Sequence, residues 1–117
     1  MGNSFITTGC IQMKMIRAII RPDKADDITG ALAEAGFISL TKINTFGRGK
    51  QLGIKMGDIR YDELPKVMLM IVVNDDDVAE VIKVISFKAY TGNFGDGKLF
   101  VSPVEEAYTV RTGVAGL

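Results

Sequence analysis

Histidine is absent from this 117-residue chain, cysteine occurs once, at Cys10, and no apolar run is long. Without imidazole, Ser-His-Asp arrangements and acid–base sites built on histidine are excluded. A lone thiol forms no intrachain disulfide, which fits a reducing compartment, so a cytoplasmic location is expected. No Cys/His zinc cluster can be assembled. The longest apolar stretch, Val67 to Val73, falls far short of the roughly 18 to 20 residues of a membrane span, and stable membrane insertion is not expected. Its length suits a buried strand. Excess charge of one sign is missing too, since 14 Lys and Arg balance 14 Asp and Glu. A general electrostatic grip on nucleic acid is therefore not expected, and anion binding must come from local placement of Lys, Arg and backbone N–H groups.

What is present is enough for one packed domain, with 47% apolar residues. Residues 1–12 lack a basic start and a continuous apolar core, so they make a poor signal peptide. They read as a flexible extension ahead of a domain spanning 13–117.

Met15 to Ile20 predicts a strand stopped at Arg21-Pro22. Asp23 is placed to cap a helix, with Asp26 and Asp27 in its first turn. Ile28, Leu32 and Ala35 fall on one helical face, and Gly36 stands where a C-cap belongs. Phe37 to Phe46 predicts a second strand. Gly47 to Glu63 holds mixed charge and several glycines with no sustained period, and reads as a long exposed loop. The pattern then repeats. Lys66 to Val73 predicts a strand, and Asn74 or Asp75 a cap. Val78, Val81, Ile82 and Ile85 form an amphipathic stripe, Lys98 to Pro103 a strand, and Ala107 to Val110 a last short one. The order β-α-β, loop, β-α-β predicts an α+β, ferredoxin-like split βαβ fold, an antiparallel sheet with both helices on one face. Segments such as Met68-Leu69-Met70-Ile71 are apolar on both faces, which predicts that the open face is buried by self-association.

Two glycine-rich segments carry the chemistry. In Gly47-Arg48-Gly49-Lys50-Gln51-Leu52-Gly53 the glycines allow close backbone approach, and consecutive N–H groups can form an anion nest. On its own this segment also fits a solvated loop. In Thr91-Gly92-Asn93-Phe94-Gly95-Asp96-Gly97-Lys98 nearly every position is specialised for tight turns, positive φ or charge. An ordinary turn needs only one or two such residues. The segment is not a Walker A loop, because its spacing differs and it leads into a strand. Arg111-Thr112-Gly113 adds a guanidinium suited to phosphate, and Lys66 heads a core strand after Leu64-Pro65, where a lysine can also simply snorkel.

The succession GRGKQLG, LPK, TGNFGDGKLF and VRTG resembles the PII signal-transduction family from Met13 to about Gly113, most specifically in TGNFGDGKLF. The resemblance implies a trimeric PII architecture, no enzymatic activity, and binding of ATP or ADP in clefts between subunits. It implies that Gly95, Asp96, Gly97 and Lys98 hold phosphates, that Gly47, Gly49, Lys50 and Gln51 close over them, and that Thr41 and Val72 lie near base and ribose. Arg111 is expected to reach in from a neighbouring subunit. Thr109 stands where the family often has a second arginine, and Met70 where many members have an acid. With Mg2+ held in part by Gln51, 2-oxoglutarate is expected against Gly49, Lys50, Gln51, Leu52, Gly53 and Lys66. The segment from Gly53 to Leu64 is shorter than usual, so Tyr61 does not match the family's uridylylated tyrosine. The compressed loop GIKMGDIRYDELPK and the tail VSPVEEAYTVRTG resemble the nitrogen-fixation branch. This implies a sensor that regulates dinitrogenase by protein contact, as a homotrimer or with a sister PII subunit. Regulation of an ammonium transporter or nitrogen-assimilation enzyme is the alternative within the family. A small acyl phosphatase on the same architecture is the alternative outside it, but the spacing of Asn93 and Arg111 gives that no support.

Overall fold

A computed structural model describes residues 12–48 and 63–117 in full, and the backbone of 54–56 and 59–61. β1 (Met13–Ile20) is followed by a 3-10 turn at Pro22–Lys24 and helix α1 (Ala25–Glu34). Next come β2 (Thr41–Gly47), the short strands β3 (Ile54–Met56) and β4 (Ile59–Tyr61), and the long strand β5 (Leu64–Asn74). A second 3-10 turn at Asp75–Asp77 opens α2 (Val78–Ala89), and β6 (Gly97–Val104) closes the sheet. Four strands lie in the order β2-β5-β1-β6, and β3 and β4 form a separate pair. Every pairing is antiparallel. This is the ferredoxin-like arrangement the sequence predicts.

The register separates two faces. Ile16, Ala18 and Ile20 on β1 lie opposite Ile71, Leu69 and Val67 on β5, and all are buried. α1 adds Ala25, Ile28 and Leu32, and α2 adds Val81, Ile85 and Ala89, each at helical spacing, to make one core. Residues alternating with the buried set, including Met15, Ile19, Met68, Met70 and Val72, face away from the helices and are only half-buried.

Several local expectations are corrected. Asp23 does not cap α1. It sits inside the 3-10 turn, whose Lys24 amide bonds to the Arg21 carbonyl at 3.0 Å, and neither helix has a side-chain N-cap. At the start of each helix the 3-10 turn already engages amides that a cap would satisfy. Ala35 lies past the last helical residue and is exposed. Gly36 does end α1, at φ 98°, with Gly36 N bonded to Ala33 O at 3.0 Å and Phe37 N to Leu32 O at 2.8 Å, a Schellman closure. β2 begins at Thr41, not Phe37, because the chain leaving that closure must first reach the sheet edge. Part of the expected loop 47–63 is paired, with Ile54 opposite Tyr61, Lys55 opposite Arg60 and Met56 opposite Ile59. The expected strand Ala107 to Val110 is reduced to one bridge, Tyr108 with Ala115, within a turn where Thr109 N bonds to Val114 O at 2.9 Å. The expected extension falls outside the described residues except for Gln12, whose carbonyl accepts Asp75 N at 2.7 Å.

Candidate anion-binding site

Antiparallel register brings the end of β1, the end of β2 and the starts of β5 and β6 to one edge of the sheet. Ile20 pairs with Val67 and with Gly97, and Thr45 pairs with Lys66. Arg21, Lys66 and the turn before β6 are therefore neighbours, although Arg21 and Asp96 lie 75 positions apart.

Asp96 is the hub of that turn. Its carboxylate accepts the Thr91 amide at 2.7 Å, the Gly92 amide at 2.9 Å and the Thr91 hydroxyl. Arg21 Nε donates to the same carboxylate at 3.1 Å, and Arg21 Nη2 donates to the Phe94 carbonyl at 2.7 Å. The Thr91 hydroxyl and amide hold the Asp96 carboxyl well below the usual carboxylate range. The Gly92 amide and Arg21 act in the same direction, against partial desolvation. Asp96 is thus an ionised strut inside the turn, and its lone pairs are committed to the protein.

Lys66 Nζ donates to the Gly95 carbonyl at 2.6 Å. Partial burial lowers the Lys66 pKa from the ordinary lysine value, the nearby Arg21 charge lowers it further, and Asp96 opposes both. Two cations beside one carboxylate leave this edge with a positive balance that suits an anion. Gly95 has φ 94° and Gly97 φ 119°. A Cβ on Gly97 would stand 1.9 Å from the Ile19 carbonyl oxygen, so only glycine lets β6 enter the sheet here. At Gly47 a Cβ would meet only Lys66 Cγ at 3.9 Å, an ordinary contact, so that glycine is not required by packing against the described residues.

Of the residues expected at the site, Gly47, Lys66, Gly95, Asp96, Gly97 and Lys98 gather at this edge. Thr41 and Val72 do not. They line a separate open-face groove of about 470 Å³ with Met15, Ser39, Leu40, Met70 and Leu117. Thr41 is opposite Met70, four residues along β5 from Lys66, or about 13 Å at strand spacing. Thr109 and Arg111 lie in the exposed C-terminal turn, where Gly113 N bonds to Thr109 O at 2.7 Å. Among the described residues of this subunit, no hydrogen bond or ion pair joins that turn to the edge cluster. Gly49, Lys50, Gln51, Leu52 and Gly53 lie outside the described residues.

Sequence reasoning missed Arg21, taking it only as the end of a strand. Its position before Pro22 gave no chemical signal. Only the pairing of β1 with β6 reveals that the residue after Ile20 adjoins the turn before Gly97. A small, mostly apolar cavity of about 180 Å³ lies behind this turn, between Ile85, Ala89 and Tyr90 of the α2 end and the start of β6. Among the described residues no cluster of His, Cys, Asp and Glu suited to a metal is found, and no helix is long and apolar enough to cross a membrane.

Residues 13–114 match the family model described as nitrogen regulatory protein P-II. A protein of Methanothermococcus thermolithotrophicus named nitrogen fixation nifHD region GlnB-like protein 1 is 61% identical over 105 residues, covering 90% of this chain and all of the relative. Its namesake in Methanococcus maripaludis is 63% identical with the same coverage. Nitrogen regulatory protein P-II 2 of Methanothermobacter thermautotrophicus is 47% identical over 91% of this chain and 96% of its own length. The crystal structure of Arabidopsis thaliana PII bound to citrate superposes with a TM-score of 0.75 at 35% identity, covering 89% of this chain and 85% of that one.

Proposed function

Because the chain belongs to the nitrogen regulatory protein P-II family, whose members are signalling regulators and not enzymes, we propose that it senses adenine nucleotide and 2-oxoglutarate at subunit boundaries and regulates nitrogenase by direct contact. The observation that carries this reading is the edge cluster, where Arg21, Lys66 and the positive-φ backbone at Gly95 and Gly97 converge. Backbone donors and nearby cations are the chemistry that retains a polyphosphate.

ATP or ADP would lie with its phosphates along Gly95, Gly97 and Lys98 and its base toward the groove at Thr41 and Val72. The spacing of groove and edge suits an elongated ligand. Asp96 and Arg21 would hold the turn in shape without touching the phosphates themselves. Arg111 would enter from a neighbouring subunit, since its own turn stands clear of the described edge cluster. Mg2+ would bridge the phosphates with Gln51, offsetting repulsion when a dicarboxylate binds beside them. The carboxylates of 2-oxoglutarate would meet Lys66 and the segment Gly49 to Gly53. The Arabidopsis relative's citrate is likewise a polycarboxylate. Positive coupling between the ligands would set the state of the loop, and the loop the contact with dinitrogenase. The nifHD-region names of close relatives favour dinitrogenase over an ammonium transporter as the partner. Assembly would be trimeric, alone or with a sister subunit, in the cytoplasm.

Titration calorimetry with Mg-ATP, with and without 2-oxoglutarate, tests the sensing reading. Lys98→Ala is expected to weaken nucleotide binding. Lys66→Ala is expected to spare ATP and weaken the keto acid. Equal loss of both ligands in the Lys66 variant would contradict that division. Inhibition of dinitrogenase turnover under ADP, relieved by ATP with 2-oxoglutarate, tests the target.

A further inference from the structure

β5 is longer than the strand beside it. β2 pairs with it from Leu64 to Met70, whereas β5 runs on to Asn74. Residues 36–39 and 71–74 line a groove of about 290 Å³ along that uncovered stretch. It adjoins the groove of about 470 Å³ at Thr41 and Val72, and the two share Ser39, Val72 and Leu117. Ser39 and Val72 belong to the sheet and to the chain entering it. Leu117 comes from beyond β6 and is carried there by a folded turn. In that turn Tyr108 bridges Ala115, Thr109 N donates to Val114 O at 2.9 Å, and Gly116 N donates to Ala107 O at 2.8 Å. The place of Leu117 is thus set by backbone hydrogen bonds up to its immediate neighbour.

No charged side chain lines the larger groove, and its polar side chains are the hydroxyls of Ser39 and Thr41. Met15, Leu40, Met70, Val72 and Leu117 supply the rest. An apolar groove with a few polar groups suits an uncharged, flat ring, whereas phosphates suit the cationic edge at Lys66. Leu117 is 65% exposed. It therefore has apolar surface left to lose when a ring enters beside it, and that loss from water favours binding.

We propose that Leu117 is a specificity residue at the base end of the nucleotide site. Its side chain forms one wall against the base, and affinity for a nucleotide over bare polyphosphate depends on it. This rests on the nucleotide reading above and adds to it a contact from the chain's own C-terminal turn.

The test uses the full chain with Leu117→Ser and Leu117→Met, titrated with ATP and with inorganic tripolyphosphate, which carries the charges without the base. Leu117→Ser is expected to weaken ATP binding about five- to tenfold and to leave tripolyphosphate binding unchanged. Leu117→Met keeps the apolar wall and is expected to hold ATP affinity within about twofold of wild type. In wild type, ATP is expected to shift the Leu117 methyl resonances through the ring current of the base, and tripolyphosphate to leave them in place. Should tripolyphosphate bind too weakly to titrate, the ATP affinities and the methyl shifts decide. Unchanged ATP affinity in Leu117→Ser, equal loss of both ligands, or methyl resonances that ATP does not move would each overturn the proposal. Tighter ATP binding by Leu117→Ser would overturn it too, by making Leu117 a plug that the base displaces. Wild-type ATP binding separates this failure from failure of the sensing reading. Binding that ignores Leu117 removes only the wall, whereas absence of binding counts against the sensing function.

Discussion

Gly97→Ala places one methyl group where the backbone has no room for it. The new Cβ would lie 1.9 Å from the Ile19 carbonyl oxygen and 3.0 Å from that carbonyl carbon, on a residue at φ 119°. Ordinary C···O approach is about 3.3 Å or more, so β6 must retreat by about 1.4 Å or rotate to negative φ. Holding alanine at this positive φ costs about 1–3 kcal/mol. Disturbing the ladder where Gly97 pairs with Ile20 forfeits about 1 kcal/mol for each hydrogen bond lost. The sum is on the order of 3–5 kcal/mol. Gly95→Ala is the control. Its φ is 94°, but its nearest neighbours are the movable tips of Arg21 at 3.4 Å and Lys66 at 3.5 Å. Only conformational strain applies, about 1–2 kcal/mol. Urea denaturation of both variants at one protomer concentration, followed by circular dichroism, measures the difference. Equal urea midpoints for Gly97→Ala and Gly95→Ala would refute the steric reasoning.

Two further outcomes follow from the same geometry. Because the folded Asp96 pKa lies below its unfolded value, the turn's stabilisation is fully present above the ordinary aspartate range. It fades progressively as pH falls from that range to the depressed folded value. Amide chemical shifts of Thr91 and Gly92 are therefore expected to stay constant from neutral pH down through about pH 4, and a titration centred at an ordinary aspartate pKa would contradict this. Gly30→Ala fills open space on the exposed side of α1, with nothing within 4 Å of the new Cβ, and is expected to raise stability by about 0.5–1 kcal/mol in the same urea assay.

The parts of the fold legible in the sequence are those written in local patterns. Alternation in Met15 to Ile20 and Lys66 to Val73, the stripe Val81–Ile85 and the closing Gly36 all correspond to observed elements. The start of β2 is less legible, because Phe37 to Leu40 are apolar enough for a strand, whereas the turn closing α1 sets where pairing with β5 starts. The site is legible in the glycine pattern around Asp96, but its electrostatics are not. The sequence alone does not reveal that the Asp96 carboxylate is engaged by Thr91, Gly92 and Arg21. That depends on which strand ends meet, and strand register across 75 positions is a tertiary property.

Lys66 Nζ carries three protons, and one of them is directed at the Gly95 carbonyl. The other two are then held within a hydrogen-bond length of a turn that belongs to a different strand. A single nitrogen atom thereby ties the start of β5 to the turn before β6, across the end of β1 that lies between them. Whatever engages its remaining protons is automatically beside the backbone of Gly95, at a distance set by one ammonium group although the two residues stand 29 positions apart in the chain.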